Sequence, residues 1–143
     1  MPDDNKTIVR RVFTEIINRG NLGLADTLVA PGYVYHGSGG LEVRGPEGFK
    51  QVVTMYRSAF PDLNMTIDDI VEEGDKVVTR WTGRGTHKGN LAGLAPTGRA
   101  VTVTGIVISR LSNGKIVEDH EVFDEIGMLR QLGVTTIPAP AQV

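Results

Sequence analysis

A chain of 143 residues, 40% hydrophobic and 22% charged with a formal net charge of −2, has the size and composition of one globular domain with a real core. No lysine/arginine cluster stands out, which argues against nucleic acid or an anionic membrane as the main partner. The absence of cysteine removes disulfides, thiolate catalysis and cysteine metal sites together. The opening MPDDNKTIVRR is polar where a signal peptide needs a basic start and an apolar run. No apolar stretch approaches the ~20 residues of a membrane span, so a cytoplasmic domain is expected. It is read as one domain over 1–143, with its core at about 5–133 and a loose end at 134–143.

Residues 5–19 predict a helix, because Ile8, Val9, Val12, Phe13, Ile16 and Ile17 make one stripe that ends at Asn18 to Gly20. A second, short helix follows over 21–29, closed by Pro31–Gly32, and Tyr33 to His36 predicts a short strand. Pro46 and Glu47 suit the first turn of a third helix, whose apolar stripe carries Phe49, Val53, Tyr56 and Phe60 before Pro61 stops it. The chain then changes to alternation. Leu63 to Val71, Val77 to Thr86, Val101 to Leu111 and Lys115 to Phe123 predict four long strands, with Ser112–Asn113–Gly114 as a hairpin turn. At Asp124 the period changes again, and Ile126, Leu129 and Leu132 recur at helical spacing until Gly133.

Helices first, then a meander, then a short helix imply an α+β domain with helices closing one face of a curved antiparallel sheet. Such a sheet leaves a conical internal pocket suited to an apolar ligand.

Asp124 is the leading candidate for chemistry. Inside an apolar pocket its pKa would rise towards the range of a general acid/base. At a strand–helix junction the same residue would serve as a helix N-cap, which lowers its pKa. His120 lies four residues earlier, on the Asp124 face if the strand is unbroken, so the two would flank one ligand without touching. Asp119 and Glu121 would then point to solvent. His36, beside the GSGG run, suits a pocket mouth, and His87, among glycines and next to Lys88, fits a surface loop better than a pocket. Trp81, Tyr56 and Phe60 are candidate pocket aromatics or ordinary core. Three histidines on three segments lack metal-ligand spacing, so no metal site is expected. Gly83, Gly85 and Gly89 are spaced G-x-G-x-x-x-G with no helix after them, which does not make a dinucleotide loop.

The segments AFPDL (59–63), RWTGRGTH (80–87), PTGRAVTVTG (96–105) and NGKIVEDHEVFDEIGMLRQLG (113–133) resemble the SnoaL-like polyketide cyclases. These belong to the nuclear transport factor two-like superfamily, with ketosteroid isomerase and scytalone dehydratase. The resemblance implies a cone-shaped α+β barrel, usually a homodimer or tetramer, with the pocket inside the cone. It also implies an aspartate near the end of the last strand, matching Asp124, as acid/base for intramolecular aldol closure of an aromatic polyketide ester without a cofactor. Relatives commonly read V-E-H-W where this chain has Val117, Glu118, Asp119 and His120, so the imidazole moves to the other face of the strand.

Three functions follow as expectations. The first is a cyclase in which Asp124 and His120 are catalytic and His36, Trp81, Tyr56, Phe60 and His87 contact the substrate. The second is a related pocket assisting hydroxylation or epoxide hydrolysis. The third is a non-catalytic small-molecule binding module.

Overall fold

A computed structural model describes residues 4–135. Helix α1 (Asn5–Arg11) starts at Asp4, whose side chain accepts from the Thr7 N–H at 2.7 Å. It continues as a π-helical stretch over Val12–Asn18. Asn18 then ties that end to the sheet by bracketing the Met65 backbone, donating to its carbonyl at 2.9 Å and accepting from its N–H at 2.7 Å. A 3-10 turn (Leu22–Leu24) and the one-turn α2 (Ala25–Leu28) lead into β1 (Val29–His36). The short strand β2 (Glu42–Arg44) precedes α3 (Gly45–Ala59), which carries Pro46 in its first turn. Four long strands follow: β3 (Asn64–Glu73), β4 (Lys76–Thr86), β5 (Ala100–Ser112) and β6 (Lys115–Phe123). Helix α4 (Glu125–Gln131) completes the described chain.

All six strands form one sheet in the order β2-β1-β6-β5-β4-β3. The predicted meander accounts for β3 to β6. The other side of the sheet differs from expectation, because β1 pairs parallel with β6 and the small β2 adds an edge. The predicted stop at Pro31–Gly32 also lies inside β1. It is tolerated there because the β1–β6 register shifts between Val29 and Val34, leaving Pro31 at an irregularity where no ladder donor is required.

One face of the sheet curls around α1, its π-helical extension and α3. Phe13, Ile16, Tyr33, Phe49, Val77 and Val107 are among the buried residues of that core. Along β5, Val101, Val103, Val107, Ser109 and Leu111 face inward while Thr102, Thr104, Ile106 and Ile108 face out, the period-2 pattern of a sheet covered on one side.

Strand β6 breaks that rule once, with consequences for the site. Leu111 pairs with Ile116, but the next residue back along β5, Arg110, pairs with Glu118, so Val117 is an extra residue in the ladder. A one-residue insertion reverses which face each later side chain meets. Ile116 and Asp119 are both buried, at 2% and 6% exposure, although they are an odd three positions apart. The sequence expectation extended the face of Ile116 through Glu118, His120 and Asp124. The bulge inverts it, and Asp119, Glu121 and Phe123 point into the cone instead. The expected loose end beyond Thr135 lies outside the described residues.

Candidate active site

A cavity of about 140 Å³ lies between the concave sheet face and the helices, walled by apolar side chains including Val53, Met65, Val103 and Met128. Tyr56, Phe60 and Trp81, which the sequence left as pocket aromatics or ordinary core, line it. Trp81 packs flat against β5 because Gly105, its cross-strand partner, has no side chain. A Cβ there would come within 2.7 Å of Trp81 Cε2 and 2.8 Å of Phe123 Cβ. The glycines of β4 make similar room: a Cβ on Gly83 would meet Met65 Sδ at 2.8 Å, and one on Gly85 the Phe60 Cβ at 2.8 Å. They fit aromatics around a cavity, not a phosphate.

Two carboxylates enter this apolar space, both from β6. Glu121 accepts from the Tyr35 hydroxyl at 2.6 Å and from the Trp81 indole N–H at 3.0 Å. Burial pushes its pKa up to about 7; the nearby Asp119 charge adds to the rise, and the Tyr35 and Trp81 donors oppose it. Asp119 lies one step deeper along β6. Its Oδ2 accepts from the Tyr33 hydroxyl at 2.6 Å, while Oδ1 has no partner in bonding geometry among the described residues. Burial raises its pKa, against the pull of the Ser109 hydroxyl standing across the strand pair and of Tyr33. The phenols respond in kind: burial, followed by the neighbouring carboxylates, lifts Tyr35 far above its usual value and Tyr56 to about 12. Both phenols therefore remain protonated donors at neutral pH.

This arrangement is chemically specific. A carboxyl titrating near neutrality in an apolar chamber can take a proton from a carbon acid and return it later in the same turnover. Its two neutral donors fix the orientation of the oxygens without neutralising the charge.

The other residues singled out by sequence lie elsewhere. Asp124 is exposed and caps α4, accepting from the Gly127 N–H at 2.9 Å. It borders a shallow outer groove with Arg80, Ile106 and Val122, and it does not line the cavity. His120 and His36 sit on the outer face, with side-chain exposures of 60% and 33%, their rings stacked at 4.3 Å. His87 is fully buried, not in a surface loop, and is absent from the cavity wall. Its Nδ1 accepts from the Thr97 N–H at 3.1 Å, and its ring lies 5.6 Å from that of Phe60, so it anchors the 88–99 loop. Sequence reasoning missed Glu121 and Asp119. The available signal was the alternation of β6 read back from Phe123, the aromatic that must face the core.

Comparison with known proteins gives the class. The profile of the SnoaL-like polyketide cyclase family matches residues 7–132. The chain belongs to that family. It is 35% identical over 104 residues to an aklanonic acid methyl ester cyclase of Streptomyces peucetius, covering 72% of this chain and 70% of the relative. A cyclase of the same name from Streptomyces galilaeus is 33% identical over 129 residues, covering 87% and 88%. The crystal structure of wild-type IdmH from Streptomyces antibioticus superposes with a TM-score of 0.81 at 35% identity, over 92% of this chain and 100% of that one. The relatives named as cyclases, with the family match, make this chain an enzyme of polyketide cyclase type. Among the described residues, no helix is long and apolar enough to cross a membrane.

Proposed function

We propose that this enzyme closes a ring in an aromatic polyketide ester by intramolecular aldol addition, with Glu121 as the acid/base. The observation that carries the reading is a carboxyl with a pKa of about 7 in a mainly apolar cavity, held by Tyr35 and Trp81. The substrate class comes from the relatives named as methyl ester cyclases.

The ionised Glu121 takes a proton from a substrate carbon flanked by carbonyls, and the C–H electron pair becomes an enolate. That enolate attacks a second carbonyl carbon of the same molecule. A C–C bond forms, the π pair of the attacked C=O moves onto oxygen, and the resulting alkoxide takes a proton from the now protonated Glu121. Conjugation spreads the enolate charge, so the carboxyl alone is a sufficient base at neutral pH. The enzyme is proposed to act as a homodimer or tetramer.

The test is turnover of an anthraquinone-type polyketide methyl ester by wild type, Glu121→Gln and Asp124→Asn. Ring closure by wild type and Asp124→Asn, with loss in Glu121→Gln, supports the assignment. Loss in Asp124→Asn with activity retained in Glu121→Gln returns the role to the capping aspartate. No closure by wild type rejects the substrate class.

A further inference from the structure

We propose that His36, Glu118 and His120 form a binding site for a divalent transition-metal ion of the zinc type on the outer face of the sheet. The β1–β6 register creates it. His36 pairs with His120 across the parallel ladder, and Val34 pairs with Glu118, so the three side chains share one face at adjacent positions. Histidines on separate segments, too far apart in sequence to show ligand spacing, are thereby brought together.

The ligand atoms already stand near coordination distances. Glu118 Oε2 lies 3.0 Å from His36 Nε2 and 3.6 Å from His120 Nε2, and one ligand atom from each of the three residues falls within 4.8 Å of the others. Around a tetrahedral ion with bonds of about 2.0–2.1 Å, neighbouring ligand atoms are roughly 3.4 Å apart. Two edges of that figure are present, and a modest rotation of the stacked imidazoles supplies the third.

The surroundings favour the same geometry. Arg110 Nε stands 3.5 Å from the other carboxylate oxygen of Glu118, leaving Oε2 to the imidazoles. Glu42 Oε2 lies 3.7 Å from His36 Nδ1, where a slight shift gives the carboxylate–histidine relay that leaves Nε2 as the ligand. Two imidazoles and one carboxylate suit zinc, copper or nickel better than magnesium or calcium. The half-exposed side chains leave a fourth position to water.

Asp119 and Glu121, which alternate with these ligands along β6, face the cavity on the other side of the sheet. The ion would therefore clip β1 to β6, the one parallel pair among the described strands, and take no part in ring closure. This proposal is independent of the cyclase chemistry.

The test is calorimetric titration of the metal-free full chain with Zn2+, with Co2+ as a spectroscopic probe. Binding of one ion per chain, a higher melting temperature in Zn2+ but not Mg2+, and visible Co2+ bands of tetrahedral intensity are expected. His36→Ala and His120→Ala should each weaken Zn2+ binding by at least about tenfold. Equal affinity in wild type and the double variant, or Co2+ bands of a fully hydrated ion, would overturn the proposal.

Discussion

Glu121 and Asp124 stand three residues apart in the chain but serve different spaces: Glu121 projects into the cavity, and Asp124 caps α4 beside an outer groove. Their environments push the two carboxyls towards different work. Glu121 is desolvated and titrates at about 7, whereas Asp124 is exposed and its carboxylate is spent on the Gly127 N–H.

Substitution separates these roles. Glu121→Gln keeps the shape and is expected to lower kcat by about 10²–10⁴-fold, the usual worth of a positioned acid/base. Asp124→Ala should cost about 1 kcal/mol of stability through the lost cap, and Asp124→Asn much less because asparagine also caps well. Steady-state kinetics paired with thermal melts reads both effects.

The pH dependence has a definite sign. As a base, Glu121 must be ionised, so kcat/KM should rise with pH and reach half its plateau near 7. Stability runs the other way. The folded pKa of about 7 exceeds the 4.5 of a glutamate in the unfolded chain, so the native state holds a proton that the unfolded state has released between those pH values. The contribution is present below pH 4.5, fades through the interval and is lost above 7, on the order of 3 kcal/mol in all. Denaturant melts at pH 5 and pH 8 should show Glu121→Gln gaining stability relative to wild type at the higher pH. An unchanged difference between the two would contradict the buried ionisation.

Two neighbours should move the activity profile in opposite directions. The Tyr35 hydroxyl favours ionised Glu121, so Tyr35→Phe should shift the rising limb to higher pH. The Asp119 charge opposes ionisation, so Asp119→Asn should shift it to lower pH. The pH profiles of kcat/KM for both variants check this, and shifts of the same sign would sink it.

Gly105 tests the role of Trp81 without touching a polar group. Alanine there would press on Trp81 Cε2 and Phe123 Cβ, an overpacking worth about 1–3 kcal/mol. It would also tilt the indole away from Glu121. A lower melting temperature should come with altered tryptophan fluorescence, Trp81 being the sole tryptophan in the chain.

Most of the architecture was legible in local patterns. The stripes of α1 and α3, the alternation of β3 to β5 and the turn at Ser112–Asn113–Gly114 each encode their own element. The parallel β1–β6 pair was not, because residues 86 apart such as Tyr33 and Asp119 meet only through the tertiary fold. The site was half legible. Trp81, Tyr56 and Phe60, open between pocket aromatics and ordinary core in the sequence, line the cavity because large aromatics at core-facing positions make its wall. The carboxylates were missed because a single bulge at Val117 reverses the inside and outside of β6. That same reversal carried Glu118 and His120 from the expected interior to the outer face, where the register sets them beside His36.

The most direct measurement is the pKa of Glu121 by carbon-detected carboxyl NMR titration, with Glu121→Gln assigning the resonance. The account predicts a midpoint close to 7. A midpoint at or below the ordinary ~4.3 of glutamate would contradict it, because such a carboxylate would be solvated and too weak a base for the proposed proton transfer.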